Sequence, residues 1–132
     1  MVAGSYYFGA AVDGRGNEYK IAKREANADG KAIVALSGAG DIDGFGIIGD
    51  IGPGLLGQSA SVCVSGAAKV KLGAAFTPGT TTPLFKSDAA GLAVPCDTDK
   101  DQAIGYLLMD EAVTYASGAV VNCIVARSVF GV

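Results

Sequence analysis

The stretch from Gly57 to Val94 constrains the fold more than any other part of the chain. It reads GQSASVCVSGAAKVKLGAAFTPGTTTPLFKSDAAGLAV. Short runs of alternating small and apolar residues are cut by Gly, Pro or Asp at roughly the 8–12-residue spacing of a compact all-β domain. The same grammar holds on either side. Ser5 to Ala11 (SYYFGAA) is aromatic and apolar, and Asp13-Gly14-Arg15-Gly16-Asn17 is a strong turn signal. Glu18 to Arg24 alternates charged with apolar residues, Asn27 to Gly30 is a second turn, and Lys31 to Leu36 is a β-branched strand. A short strand follows at GFGIIGD. Further strands are expected at Ser59 to Ser65, Lys69 to Leu72, Pro83 to Lys86, Leu92 to Val94 and Ala119 to Val129. Gly66-Ala67-Ala68 reads as a tight link, and Pro78-Gly79 and Asp88 to Gly91 read as turns. Ala103 to Ala112 leaves a strand and one or two helical turns both open.

The expected fold is therefore mainly β: a small β-barrel or β-sandwich-like domain with glycine-rich turns and at most one or two short helices. At 132 residues the chain is one domain. Residues 1–30 are expected as an N-terminal arm and first hairpin, and residues 31–132 as the β-rich body. Half of the residues are hydrophobic. In so short a chain that much apolar surface does not all fit inside, and exposed apolar patches become partner interfaces. Oligomerisation is the expectation.

The charge excludes some partners. Ten basic and thirteen acidic residues leave a net −3, and the bases are scattered apart from Lys20, Lys23 and Arg24. Phosphate binding needs a concentrated basic face, so nucleic acid is not expected as the main partner. Lys69 and Lys71 alternate with Val70 and fall on one solvated face of a strand. The longest uncharged run, Ile51 to Ala68, is broken by Pro53 and by glycines and does not read as a bilayer span. The N-terminus MVAGSYYFGAAVDG has no basic region ahead of a long apolar one. No membrane partner is expected, and synthesis is expected in a cytoplasm.

Each candidate for chemistry meets a plainer reading. Cys63, Cys96 and Cys123 lack the spacing of a zinc site or a disulfide framework. Cys63 and Cys123 sit in apolar alternating runs, as buried thiols do. The chain has no His, so a Cys–His nucleophile is out. Gly44 to Gly49 matches GxGxxG, but Pro53 and more glycines follow where a phosphate-holding helix would start. Those glycines read as turns and bulges in a sheet. Asp97-Thr98-Asp99-Lys100-Asp101 opens like a calcium loop, yet Gln102 and Leu108 stand where Gly and Glu are required. An irregular cation site and a solvated acidic turn remain the two readings there. Asp41, Asp43, Asp50 and the Asp110-Glu111 pair offer carboxylates, but the chain has no Trp to form a sugar platform. We expect no enzyme, no metal and no cofactor. Tyr6, Tyr7 and Phe8 form the aromatic cluster. They read either as a core strand or as an arm that docks on a partner by strand addition.

From about Ala35 to Ala126 the order of segments resembles the tailed-bacteriophage capsid cement, or head decoration, proteins. Asp43 to Gly49 (DGFGIIG) is similar to that family's glycine-flanked strand. Gly57 to Gly66 (GQSASVCVSG) and Ala68 to Gly73 (AKVKLG) resemble the next two strands. Pro78-Gly79, Leu84 and Ser87 to Gly91 resemble its long turn; Ala103 to Leu108 and Ser117 to Val121 resemble the closing strands. The first thirty residues depart from the pattern. The resemblance implies a non-enzymatic virion protein on the capsid exterior. Its partners would be the major capsid protein and copies of itself as a homotrimer, and it would stabilise the expanded head by bridging capsid subunits. The alternatives are another virion β-module, such as a tail-tube or receptor-binding component, and a small enzyme or carbohydrate-binding domain.

Overall fold

A computed structural model describes residues 5–10, 17–26, 32–38, 44–49, 59–97 and 101–129. The described residues form ten strands and no helix. The strands are β1 (Ser5–Ala10), β2 (Ile21–Ala26), β3 (Ala32–Leu36), β4 (Gly44–Ile48), β5 (Ser59–Cys63), β6 (Gly66–Lys71), β7 (Leu84–Ser87), β8 (Ala93–Pro95), β9 (Gln102–Leu107) and β10 (Val120–Val129). The expected mainly-β class is what the chain adopts. The ambiguous segment resolves into β9 as far as Leu107. Gly66-Ala67-Ala68 is not a link: β6 already starts at Gly66, leaving only Val64 and Ser65 between β5 and β6.

The strands divide into two sheets. In the first, pairing runs β1-β3-β2-β4-β5 and returns from β5 to β1. All of these pairs are antiparallel except β1 with β3, which is parallel and joins at Gly9↔Ile33 and Ala10↔Val34. β1 and β2 therefore form no hairpin with each other, because β3 lies between them. The second sheet is antiparallel in the order β6-β10-β9-β7-β8. Its outer strands approach each other where Leu72, just past β6, bridges Ala93 of β8. There the Gly73 amide donates to the Ala93 carbonyl at 2.8 Å.

A short segment stitches the sheets together. Tyr19 has φ 68°, in the left-handed region that side chains other than Gly rarely occupy. In that conformation its N–H donates to the Ile48 carbonyl of the first sheet at 2.8 Å, and its own carbonyl accepts from the Lys71 amide of the second at 2.9 Å. Ile21 N–H donates to the Gly91 carbonyl in the β7–β8 turn at 2.7 Å. These bonds satisfy main-chain groups that packing would otherwise leave without water.

The main core draws on both sheets. Ile21, Ile47 and Cys63 pack with Val70, Leu72, Phe76, Phe85, Ile104, Leu107, Val121, Cys123 and Val125. A smaller cluster of Ala22, Phe45, Ile48 and Val62 lies within the first sheet. The segment after β6 is pinned by reciprocal amide–carbonyl bonds of 2.9 Å between Phe76 and Tyr115. Beyond it, the Thr80 and Thr81 amides both donate to the Thr77 carbonyl around the exposed Gly79.

Candidate docking surface

Several of the described residues that offered chemistry in the sequence have structural roles. Gly44 to Ile48 is strand β4, with a register shift where Gly44 and Gly46 face Lys23 and Ala22. A Cβ on Gly46 would come within 2.7 Å of Val62 Cγ1 and 2.5 Å of the Cys63 carbonyl. The glycine there admits a neighbouring strand rather than a phosphate. All three cysteines are free and buried. Burial pushes the Cys96 thiol up to about 11 and the Cys123 thiol up to about 12, so neither is poised as a nucleophile.

The acidic loop is occupied from within. Lys86 Nζ reaches Asp97 Oδ1 at 2.7 Å and Asp101 Oδ2 at 2.9 Å. Residues 98–100 lie outside the described part, as do Asp41, Asp43 and Asp50. Among the described residues no group of three or more His, Cys, Asp or Glu is placed to hold a metal. Asp110 and Glu111 are exposed on the β9–β10 connection. Asp110 Oδ1 accepts from the Ala112 amide at 2.9 Å, which shapes a local turn.

Tyr6, Tyr7 and Phe8 lie in β1, opposite Val62, Ser61 and Ala60 of β5. Their backbone is that of a sheet strand.

Among the described residues, Tyr106 (39% exposed), Leu108 (50%), Val113 (44%) and Val120 (45%) are the exposed large apolar side chains. In β9 and β10 the neighbours of these residues, Leu107 and Val121, point into the core. Period-2 alternation therefore puts Tyr106, Leu108 and Val120 on the outer face of the second sheet. Register groups that face into rows. Ala67, Ile124 and Tyr106 stand side by side across β6, β10 and β9. The next row is Lys69 and Asn122, joined by Leu108, whose amide donates to the Asn122 carbonyl at 2.9 Å. A third row begins with Lys71 and Val120, and Asp110 follows two residues after Leu108. The sequence held this signal in the alternate positions of β9 and β10, but it becomes a patch only when three strands are set in register.

No protein-family model matches the chain, and no curated protein matches it. Among solved structures, the N base of the head fiber gp8.5 of bacteriophage phi29 shares the fold, with a TM-score of 0.57 and 16% identity, over 97% of this chain and 98% of that one. At that identity the likeness is one of fold.

Proposed function

We propose that the chain is a structural protein of a phage virion that binds the outer surface of the capsid. There it stabilises the expanded head by bridging neighbouring major capsid subunits. The observation that carries this reading is the end-to-end likeness of fold to a head-fiber base. The ordered resemblance to capsid cement proteins points the same way. The physics of the task agrees with the molecule. A protein that binds the assembled lattice and not its free subunits stabilises the lattice by mass action, and repeated sites multiply the effect through avidity. Such a protein needs a stiff body and an adhesive face, and no reaction or cofactor is assigned to it. Its partners are the major capsid protein and other copies of itself, as a homotrimer. Tyr6, Tyr7 and Phe8 and the outer face of the second sheet are its candidate contact regions. Among the described residues no helix is long and apolar enough to cross a membrane.

The test is direct. Purified protein mixed with undecorated expanded heads should co-sediment at a fixed ratio and raise the temperature at which heads disrupt. Absence of co-sedimentation would end the proposal. A second reading, an anchor that also carries a fiber, is favoured by the head-fiber base that shares the fold. Electron microscopy of decorated heads separates it from plain cement by what projects from each bound copy. Rings or tubes formed by the protein alone would point instead to a tail-tube component.

A further inference from the structure

We infer that the outer face of the second sheet is the contact between copies of this chain, arranged by rotation about an axis running along β10. The inference rests on the self-association within the proposed function and not on capsid binding. Its basis is how the rows are filled. On the β6 side each row offers a small or basic residue: Ala67, then Lys69, then Lys71. On the β9 side the first two heights offer Tyr106 and Leu108, and beyond Leu108 the chain runs into the connection that carries the exposed Asp110 and Glu111. Rotation about an axis parallel to the strands preserves height along them, so the β6 side of one copy meets the β9 side of the next, row against row.

Each meeting is complementary. The Tyr106 ring lies over Ala67, whose single methyl leaves room for it. The methylenes of Lys69 lie over Leu108, with the ammonium free to reach water. Lys71 meets Asp110 and Glu111. Ile124 and Val120 stand nearest the axis. Among the described residues no carboxylate of the same chain lies within ion-pair distance of Lys69 or Lys71. An axis across the strands, centred on Asn122, would set Lys71 against the Tyr106 row with no opposite charge. The same pairing serves two copies or three, because only the angle between faces changes.

The experiment measures the solution mass of the full chain by light scattering and sedimentation across a concentration series. The wild type, Tyr106→Glu, Lys71→Glu, Asp110→Lys and the Lys71→Glu/Asp110→Lys double variant are compared, with thermal melts to establish folding. The wild type should form a closed oligomer at micromolar concentration. Tyr106→Glu should weaken assembly about thirtyfold or more, as loss of a buried aromatic anchor does. Lys71→Glu should weaken it about tenfold by facing like charges, and the double variant should recover most of that loss. If Tyr106→Glu fails to fold, Tyr106→Ser carries the same expectation. A monomeric wild type, single variants with wild-type mass, or a double variant no better than Lys71→Glu would each overturn the inference. A wild type that assembles yet ignores heads would defeat the capsid reading and leave this one standing.

Discussion

β4 of the first sheet is buried at every position from Gly44 to Ile48, whereas β10 of the second alternates buried and exposed residues from Val120 to Ala126, with Ile124 half-buried. A strand covered on both faces must fit its neighbours closely, and two of the five residues of β4 are glycine. A strand covered on one face can hold a core with Val121, Cys123 and Val125 and keep its other face for a partner. Among the described residues, β2, β4 and β5 supply the smaller cluster and three members of the main core, while the second sheet carries most of the main core and offers an outer surface.

Substitutions can break this contrast in order of size. The largest effect is expected at Gly105, where a Cβ would lie far inside van der Waals contact distance of the Ile124 carbonyl oxygen and force β9 from β10. Gly105→Ala should cost about 5 kcal/mol or more in denaturant unfolding. A wild-type midpoint would show that the two strands can separate without loss. Next come the two aromatic anchors. Phe85, fully buried in the main core, should cost about 3–5 kcal/mol when replaced by Ala. Phe45→Ala, in the smaller cluster and 8% exposed, should fall at or below the bottom of that range. Equal losses at the two sites would erase the distinction between the cores.

At the seam, Tyr19→Val puts a β-branched residue at positive φ and should destabilise by about 1–2 kcal/mol. Tyr19→Asn, which tolerates that region, should be milder. Comparing their melting temperatures isolates backbone strain from lost side-chain packing.

Alkaline titration sharpens the comparison further. The thiols of Cys96 and Cys123 are raised in the folded state from 9.0 to about 11 and about 12, chiefly by burial. In the unfolded chain they ionise first, so their contribution is complete below pH 9 and is lost as pH rises above it. The loss is about 1.4 kcal/mol per pH unit per thiol until the folded value is reached. Cys123→Ala should flatten the fall in stability above pH 9. An unchanged slope would mean that the thiol is not shielded.

The smallest effect belongs to Lys86, raised above its ordinary 10.5 chiefly by its hydrogen bond to Asp97 and next by that to Asp101. Its contribution is whole below pH 10.5 and disappears as pH climbs through the raised folded value. Lys86→Met at neutral pH should cost under about 1 kcal/mol, since the pair is partly exposed.

Much of the second sheet was legible in the sequence because its punctuation is local. Pro78-Gly79 and Asp88 to Gly91 mark turns, and Asp88 Oδ1 closes the latter by accepting from the Ala90 and Leu92 amides. The run Leu107-Leu108-Met109 left helix and strand open, and only pairing with β10 decides it, turning Leu107 inward and Leu108 outward. The first sheet was harder to read. Nothing in a Tyr announces left-handed backbone, so β2 starts at Ile21 and not at Glu18. The parallel pairing of β1 with β3 joins segments that no short-range signal links. For the docking surface, the sequence offered the contiguous aromatics Tyr6, Tyr7 and Phe8 as either a core strand or a docking arm. The exposed patch on the second sheet is assembled from Ala67, Tyr106, Leu108 and Val120, residues far apart in the chain.

The turn around Gly79 makes the molecule a natural carrier. The glycine has open space where a side chain would start, and the turn closes on itself through Thr77. Lengthening such a tip costs only about 0.6 kcal/mol for each doubling of its length. A foreign peptide grafted between Gly79 and Thr80 should be tolerated, and under the proposed capsid binding it would be displayed in as many copies as there are bound molecules.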